Sequence, residues 1–163
     1  MTADYDIGLA VLDDLPGILT LQEPNLPDSG GSLSVRLSAD WFARTMAEMP
    51  LIVARRGGKV VGYMVTTTLA AKAHVAIVQT MLRRFPASPD CYSYGPVCVA
   101  DSERGNGLAG AMFERLRTEL PGRPAMTFIV ADNLPSLRAH EKMGMRQLGA
   151  FANDGISYIA LSY

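Results

Sequence analysis

The stretch Asp101-Ser102-Glu103-Arg104-Gly105-Asn106-Gly107-Leu108-Ala109-Gly110 decides the fold, because it joins an apolar run typical of a strand to a periodic segment typical of a helix. Its three glycines allow successive backbone N–H groups to turn toward one point. The first turn of the following helix adds N–H groups without helical partners, and the helix dipole favours negative charge there. The stretch therefore predicts a loop that binds an anion such as a pyrophosphate.

The segments on either side of this loop predict a β-α-β unit. A strand is expected over Tyr92–Ala100, a helix over Leu108–Leu120 with Ala109, Phe113, Leu116 and Leu120 along its apolar stripe, and a second strand over Ala125–Ala131. Pro121-Gly122 ends the helix.

Hydrophobic periodicity and turn residues predict the other elements. In chain order they are an edge strand at Tyr5–Val11, a helix at Asp14–Gln22 capped by Asp13-Asp14, an irregular loop at Glu23–Ser34, a helix at Ala39–Met49 capped by Ser38, hairpin strands at Leu51–Arg55 and Lys59–Thr68, a helix at Ala70–Phe85, a short helix from Pro135 closed by Gly144, and paired strands at Arg146–Phe151 and Ile156–Ser162. We expect one domain over residues 1–163.

Composition and charge exclude several classes of protein. The 163 residues are 48% hydrophobic and 19% charged with a net charge of -1, which argues against disorder and against a general electrostatic hold on nucleic acid or an anionic membrane. No apolar run approaches the roughly 18 residues of a membrane span, and the first residues lack the basic region of a secretory signal. We therefore expect a soluble, cytoplasmic protein.

The cysteines predict neither a disulfide framework nor a metal site. Cys91 and Cys98 are two in number, and Cys98 lies within an apolar run, so both are expected as free thiols. Neither they nor His74 and His140 show the spacing of a ligand pair, and no metal is expected.

The glycine spacing alone does not decide which phosphate compound the loop binds. Gly105-x-Gly107-x-x-Gly110 also fits a dinucleotide fingerprint, with Asp132 after the next strand. However, a dinucleotide fold normally opens with this loop and continues through several β-α units, whereas a single parallel strand and a hairpin follow here. A P-loop is excluded, because no Gly-Lys-Ser/Thr follows.

Two motifs in order resemble those of the GNAT family of N-acetyltransferases. Arg104-Gly105-Asn106-Gly107-Leu108-Ala109 fits the family pattern Q/R-x-x-G-x-G/A, and residues 133–145 resemble its later segment N-x-x-A-x-x-x-Y-x-K-x-G-F. Together the matches cover roughly residues 92–145. The resemblance implies an α/β (α+β) fold with a mixed, mostly antiparallel central sheet of six to seven strands, flanking helices and a β-α-β cofactor-binding core.

The resemblance also implies acetyl-CoA or coenzyme A as co-substrate. The pyrophosphate is expected to bind the backbone amides of Gly105, Asn106, Gly107, Leu108 and Ala109, while Arg104 shapes the loop and adds charge. The pantetheine arm is expected along the strand backbone at Val97, Cys98 and Val99. Further contacts are expected at Asn133 and Ser136. An extended amide chain can pair with a strand in this way. Asn133 also stands where a helix N-cap is expected, and the two roles are compatible.

The chain departs from the family pattern where His140 replaces a tyrosine that can protonate the departing thiolate. Histidine can supply a proton near neutral pH, although His140 also fits a buried, hydrogen-bonded core position. Tyr92 and Tyr94 share one face of their strand and are the other candidates. Glu23, Asp28, Asp40 and Glu103 are candidates for a general base by their position only.

The resemblance implies transfer of an acetyl or other acyl group to a primary amine by direct attack in a ternary complex. The alternative is a non-catalytic acyl-CoA-binding module that acts through a protein partner, and a nucleotide-dependent oxidoreductase is a third. The acceptor is expected to be a small-molecule or peptide amine, chosen by the segments Glu23–Ser34 and Ala70–Pro89. The segment Ala70–Pro89 could instead form a subunit contact in a homodimer, and the sequence does not decide between the two roles.

Overall fold

A mixed, mostly antiparallel sheet of seven strands organises the chain, of which the computed structural model describes residues 4–29, 33 and 35–163. The strands are β1 (Asp6–Leu9), β2 (Leu51–Arg56), β3 (Lys59–Thr68), β4 (Tyr92–Val99), β5 (Ala125–Val130), β6 (Arg146–Asn153) and β7 (Ile156–Ser162), and the helices are α1 (Leu15–Gln22), α2 (Ala39–Glu48), α3 (Ala76–Arg84), α4 (Leu108–Glu119) and α5 (Leu134–Lys142). The strand order is β1-β2-β3-β4-β5-β7-β6. The predicted fold class is confirmed.

The chain divides into two compact units. The first comprises Met1–Thr66 and Gly95–Pro121, and the second comprises Thr67–Tyr94 and Gly122–Tyr163. The β4 and β5 strands pair in parallel at Tyr92 and Ser93, and α4 connects them, as the sequence predicts. That residues 1–163 form one domain stays a prediction.

The first unit contains β1, β2 and β3 in antiparallel register. Helices α1 and α2 supply Ile18, Leu21 and Phe42 to its core, where they pack with apolar side chains of β2 and β3. Ser38 caps α2 as predicted, because its side-chain oxygen accepts a hydrogen bond from the backbone N–H of Trp41 at 3.1 Å.

The cap predicted for α1 takes a different form. Asp14 directly precedes the helix, but its carboxylate makes no cap hydrogen bond. It instead accepts from the backbone N–H of Val11 at 2.8 Å and from Nε and Nη2 of Arg55 on β2 at 2.8 and 2.6 Å. The side chain thus ties the start of α1 to the sheet.

The segment after α1 folds locally where it is described. Two 3₁₀ turns occupy Glu23–Asn25 and Pro27–Ser29, so this part of the predicted irregular loop has regular turns. The side-chain amide of Gln22 bonds both backbone groups of Leu37, at 3.0 and 2.8 Å. Residues 30–32 and 34 of the predicted loop lie outside the described residues.

The second unit contains β5, β7 and β6 in antiparallel register, with α3 and α5. One cluster of its buried core contains Met81, Cys91, Met126, Phe151 and Ala160. The turn between β6 and β7 is shorter than predicted, because the strands pair as far as Asn153 and Ile156 and leave Asp154-Gly155 as the turn.

The helix predicted over Ala70–Phe85 is wrong in its first half. A separate 3₁₀ turn covers Ala70–Lys72, and α3 begins at Ala76. The hydroxyl of Thr68 accepts from the backbone N–H of Ala71 at 3.1 Å, which fixes this turn locally before the helix starts. Among the described residues, no helix is long and apolar enough to cross a membrane.

Candidate active site

The glycine loop runs from a 3₁₀ turn at Asp101–Glu103 to the start of α4 in the first unit. Gly105 and Gly107 have φ angles of +81° and +73°, a left-handed conformation that other residues disfavour. A Cβ atom built on either glycine meets no heavy atom within 4 Å. Glycine is therefore required by the backbone and not by crowding, and a ligand has room to approach the main chain.

The N-terminus of α4 presents backbone donors at the end of this loop. Gly107 is the N-cap residue and provides no side-chain cap. The helical ladder begins where Ala111 N–H donates to the Gly107 carbonyl at 3.1 Å, so the N–H groups of Leu108, Ala109 and Gly110 have no acceptor within the helix. The side chain of Leu108 is buried, and only its backbone can serve a ligand. Together with the helix dipole, these donors suit an anion.

The guanidinium of Arg104 is held by groups of the protein. Its Nε donates to the Val99 carbonyl at 3.4 Å, its Nη1 pairs with Asp101 at 2.7 Å, and its Nη2 donates to the side-chain oxygen of Asn25 at 2.7 Å. All three nitrogens thus have partners. This arrangement fits the expectation that Arg104 shapes the loop, and its charge is shared with Asp101.

Glu103 has a buried carboxylate directly before the loop. It accepts hydrogen bonds from the hydroxyl of Tyr5 at 2.5 Å and from Nη1 of Arg56 at 3.1 and 3.2 Å. The Tyr5 hydrogen bond and the Arg56 charge hold the pKa of Glu103 below its usual value, although burial opposes them. A carboxylate so stabilised in its charged form is a poor general base.

The backbone of β4 presents two residues away from β3. Ala100 N–H donates to the Val61 carbonyl on β3 at 2.9 Å. The Cys98 carbonyl also lies toward β3, because its oxygen is 3.4 Å from the point where a Cβ would stand on Gly62. Because backbone groups alternate in direction along a strand, those of Val97 and Val99 point to the other side. These are the residues at which the sequence predicts pairing with an amide chain.

The two cysteines are buried and free. Burial raises the pKa of the Cys98 thiol to about 11, and burial raises that of Cys91 to about 11 as well. Both thiols are therefore protonated near neutral pH, when a nucleophilic cysteine would need to be a thiolate.

Asn133 caps α5 in the second unit. Its side-chain oxygen accepts a hydrogen bond from the backbone N–H of Ser136 at 3.4 Å. The N-cap expected at this position is confirmed, and Pro135 follows in the first turn as predicted. The contacts of Asn133 and Ser136 with the coenzyme stay predictions.

His140 is buried on α5 and lies against Tyr94 of β4. Its Nδ1 is 2.7 Å from the Ser136 carbonyl, an acceptor, so Nδ1 carries the proton. The rings of Tyr94 and His140 meet edge to face with centroids 5.5 Å apart. Burial lowers the pKa of His140, which the hydrogen bond to Ser136 opposes. The neutral imidazole then has no proton on Nε2.

The two tyrosines of β4 differ in their surroundings. Burial raises the pKa of Tyr94, so its phenol stays protonated near neutral pH. Tyr92 is equally buried, and the guanidinium of Arg123 lies 5.7 Å from its ring centroid. Both stay candidates for proton transfer, with Tyr94 in contact with His140.

Comparison with solved structures shows which fold this arrangement of strands and helices belongs to. An N-acetyltransferase from Staphylococcus aureus Mu50 matches with a TM-score of 0.74 and 20% identity over 99% of this chain and 98% of that one. A ribosomal-protein-alanine N-acetyltransferase from Brucella melitensis matches with a TM-score of 0.72 and 21% identity over 97% of this chain and 98% of that one. The Salmonella typhimurium protein yncA, solved with its cofactor acetyl-CoA, matches with a TM-score of 0.72 and 16% identity over 99% of this chain and 94% of that one. All three share the acetyltransferase fold with this chain.

The family follows from the sequence match. The model of the acetyltransferase (GNAT) family matches residues 15–145, which include both the glycine loop and α5. The chain therefore belongs to the GNAT acetyltransferase family. No curated protein sequence matches it significantly.

Proposed function

We propose that the protein is an N-acetyltransferase that transfers the acetyl group of acetyl-CoA to a primary amine by direct attack. The observation that carries this proposal is the pair of left-handed glycines at the uncapped N-terminus of α4, in a chain of the GNAT family. Such a loop suits the pyrophosphate that coenzyme A carries.

The first unit supplies the groups that would hold the coenzyme. The amides from Gly105 to Ala109 would bind the pyrophosphate, and the outward backbone groups of Val97 and Val99 would pair with the amides of the pantetheine arm. A local set of backbone donors can bind this anion although the net charge of the chain is -1. When bound, the coenzyme supplies an acetyl thioester.

Direct attack needs positioning and proton transfer more than a protein nucleophile. The amine nitrogen attacks the thioester carbonyl carbon, the C–S bond breaks, one proton leaves the nitrogen, and one must reach the sulfur. The protonated thiols of Cys91 and Cys98 agree with a reaction that forms no enzyme thioester.

Tyr94 is the better candidate for the proton donor. Its phenol stays protonated, whereas neutral His140 carries its proton on Nδ1 and uses it in a hydrogen bond to the Ser136 carbonyl. In this proposal His140 orients the Tyr94 ring through their edge-to-face contact. The Nε2 of His140 is then able to accept a proton.

The alternative function is an acyl-CoA-binding module without catalysis. The histidine at position 140 in place of the family's tyrosine, and the absence of a suitable general base in Glu103, favour this alternative. A stable protein partner in pull-downs, with equal affinity for coenzyme A and acetyl-CoA and no turnover, would support it.

Thiol release from acetyl-CoA distinguishes the two functions. The purified protein is incubated with acetyl-CoA and a panel of amines that includes polyamines, amino acids, aminoglycosides and peptides with a free N-terminus. Release with at least one amine is expected. Tight coenzyme binding without release for any acceptor would contradict the proposed transfer.

A further inference from the structure

We propose that Tyr5, Glu103 and Arg56 are positioning residues that hold the glycine loop in its anion-binding conformation. This inference rests on the proposed function and names residues that would not touch the coenzyme. We refer to the three side chains as the loop clamp. All three belong to the first unit of the chain.

The loop clamp attaches the loop on both sides of its first left-handed glycine. The Tyr5 hydroxyl donates to Glu103 at 2.5 Å and accepts from the side-chain amide of Asn106 at 3.4 Å. Glu103 and Asn106 flank Arg104 and Gly105 in the chain. One hydroxyl therefore restrains the two ends of the segment in which the backbone turns to φ of +81°.

Strand pairing explains why two distant residues meet at this loop. The antiparallel register of β1 and β2 pairs Asp6 with Arg55. The next residues outward, Tyr5 and Arg56, therefore emerge side by side at the same end of the sheet. Glu103 bonds both of them, so the position of the loop is set by the sheet.

The loop clamp also removes an electrostatic conflict. A carboxylate directly before a loop that is to bind an anion would repel that anion. The Glu103 side chain is 7% exposed, and the Arg56 guanidinium at 3.1 Å compensates its charge. Arg56 thus has a second effect, because without it the negative charge of Glu103 would face the bound pyrophosphate.

The test measures the affinity of full-length variants for coenzyme A by titration calorimetry. Tyr5→Phe removes both hydrogen bonds of the hydroxyl and should raise the Kd about three- to tenfold. Arg56→Met should raise the Kd about two- to fivefold. Adding Glu103→Gln to Arg56→Met removes the uncompensated charge and should restore part of the affinity.

Pantetheine provides a readout that a merely structural defect would change. It lacks the pyrophosphate, so its affinity should be the same in the wild type and in Tyr5→Phe. Asp14→Asn is the matched control, because Asp14 is a comparably buried carboxylate bonded to an arginine of the same unit. This control should lower the melting temperature and leave the Kd for coenzyme A unchanged.

The outcomes separate this inference from the proposed function. A wild-type protein that does not bind coenzyme A overturns the proposed function. A wild type that binds, with the same Kd in Tyr5→Phe and Arg56→Met, overturns the loop clamp. Equal losses for pantetheine and coenzyme A, or no recovery in the double variant, also overturn it. If Tyr5→Phe unfolds in thermal melts, the comparison of Arg56→Met with the double variant decides.

Discussion

Arg104 donates a 2.7 Å hydrogen bond to the side-chain oxygen of Asn25, which lies 79 residues earlier in the chain. Asn25 is buried, and its own amide group donates to the Leu21 carbonyl at 2.9 Å. The residue before the first left-handed glycine is thereby fixed to the end of α1. This bond joins the loop expected to bind coenzyme to the segment expected to choose the acceptor.

Replacing Asn25 tests whether this bond supports coenzyme binding. Asn25→Ala leaves the Nη2 group of Arg104 without its acceptor, so we expect the Kd for coenzyme A to rise about three- to tenfold. Titration calorimetry measures the change. Glu23→Gln is the control, because Glu23 and Arg36 form an exposed ion pair in the same segment, a kind of pair that contributes little. Equal Kd values for the two variants would contradict the expected role.

Gly107→Ala tests the left-handed backbone of the loop. The substitution forces a Cβ onto φ of +73° and should cost about 1–2 kcal/mol of stability. We also expect it to shift the backbone amides and weaken coenzyme binding more than tenfold. Gly122→Ala is a matched control with φ of +71° and equally open space, outside the loop. We expect similar melting temperatures for the two variants and loss of binding in Gly107→Ala alone. Loss of binding in both would show a general effect of strain.

Tyr94→Phe tests the proposed proton donor. We expect kcat to fall about 10²- to 10⁴-fold while the KM for acetyl-CoA stays near its wild-type value, because the phenol acts on the departing sulfur. Tyr158→Phe, which alters a tyrosine stacked on Phe151 in the same unit, is the control. The measurement is initial-rate kinetics with the acceptor found in the amine panel.

The pH profile distinguishes Tyr94 from His140 as the donor. A donor imidazolium would be lost as the pH rises through the lowered pKa of His140, so kcat would fall across that range. With Tyr94 as the donor, kcat stays high there, because the pKa of Tyr94 is raised by burial. A fall in wild-type kcat that disappears in His140→Gln would support the histidine.

Asp14→Asn tests the tie between α1 and β2. Burial would raise the pKa of Asp14, but the hydrogen bonds from Arg55 and Val11 lower it below the ordinary 3.8. The folded state therefore gains stability from the charged form above the ordinary value and loses it as the pH falls through the lower, folded-state pKa. We expect the variant to lose about 2 kcal/mol at pH 7 by denaturant titration. The difference from wild type should shrink in strong acid, and a constant difference would contradict this origin.

The sequence predicts the fold well because its signals are local. The Ser38 and Asn133 caps and the order of helices and strands depend on local patterns, and the structure confirms them. The errors concern element ends. For α3, the side chain of Thr68 starts a separate turn that apolar spacing does not reveal.

The contacts that fix the candidate site are not visible in the sequence. Tyr5 and Asn25 lie 98 and 79 residues from their partners in the loop, so no local pattern links them. The alternation of Tyr92 and Tyr94 predicts their shared face, but not that Arg123 lies over one ring and His140 against the other. The tertiary fold brings such residues together, through turns and helices as well as strands.

The hydrogen bonds of Tyr5 bear on how short a chain could be and still hold the glycine loop in place. The family match begins at residue 15, ten residues after the hydroxyl that bonds Glu103. A chain trimmed to the matched region would keep every glycine of the loop and still lose its support. The stretch of sequence that identifies the family is therefore shorter than the stretch that supplies contacts to the loop.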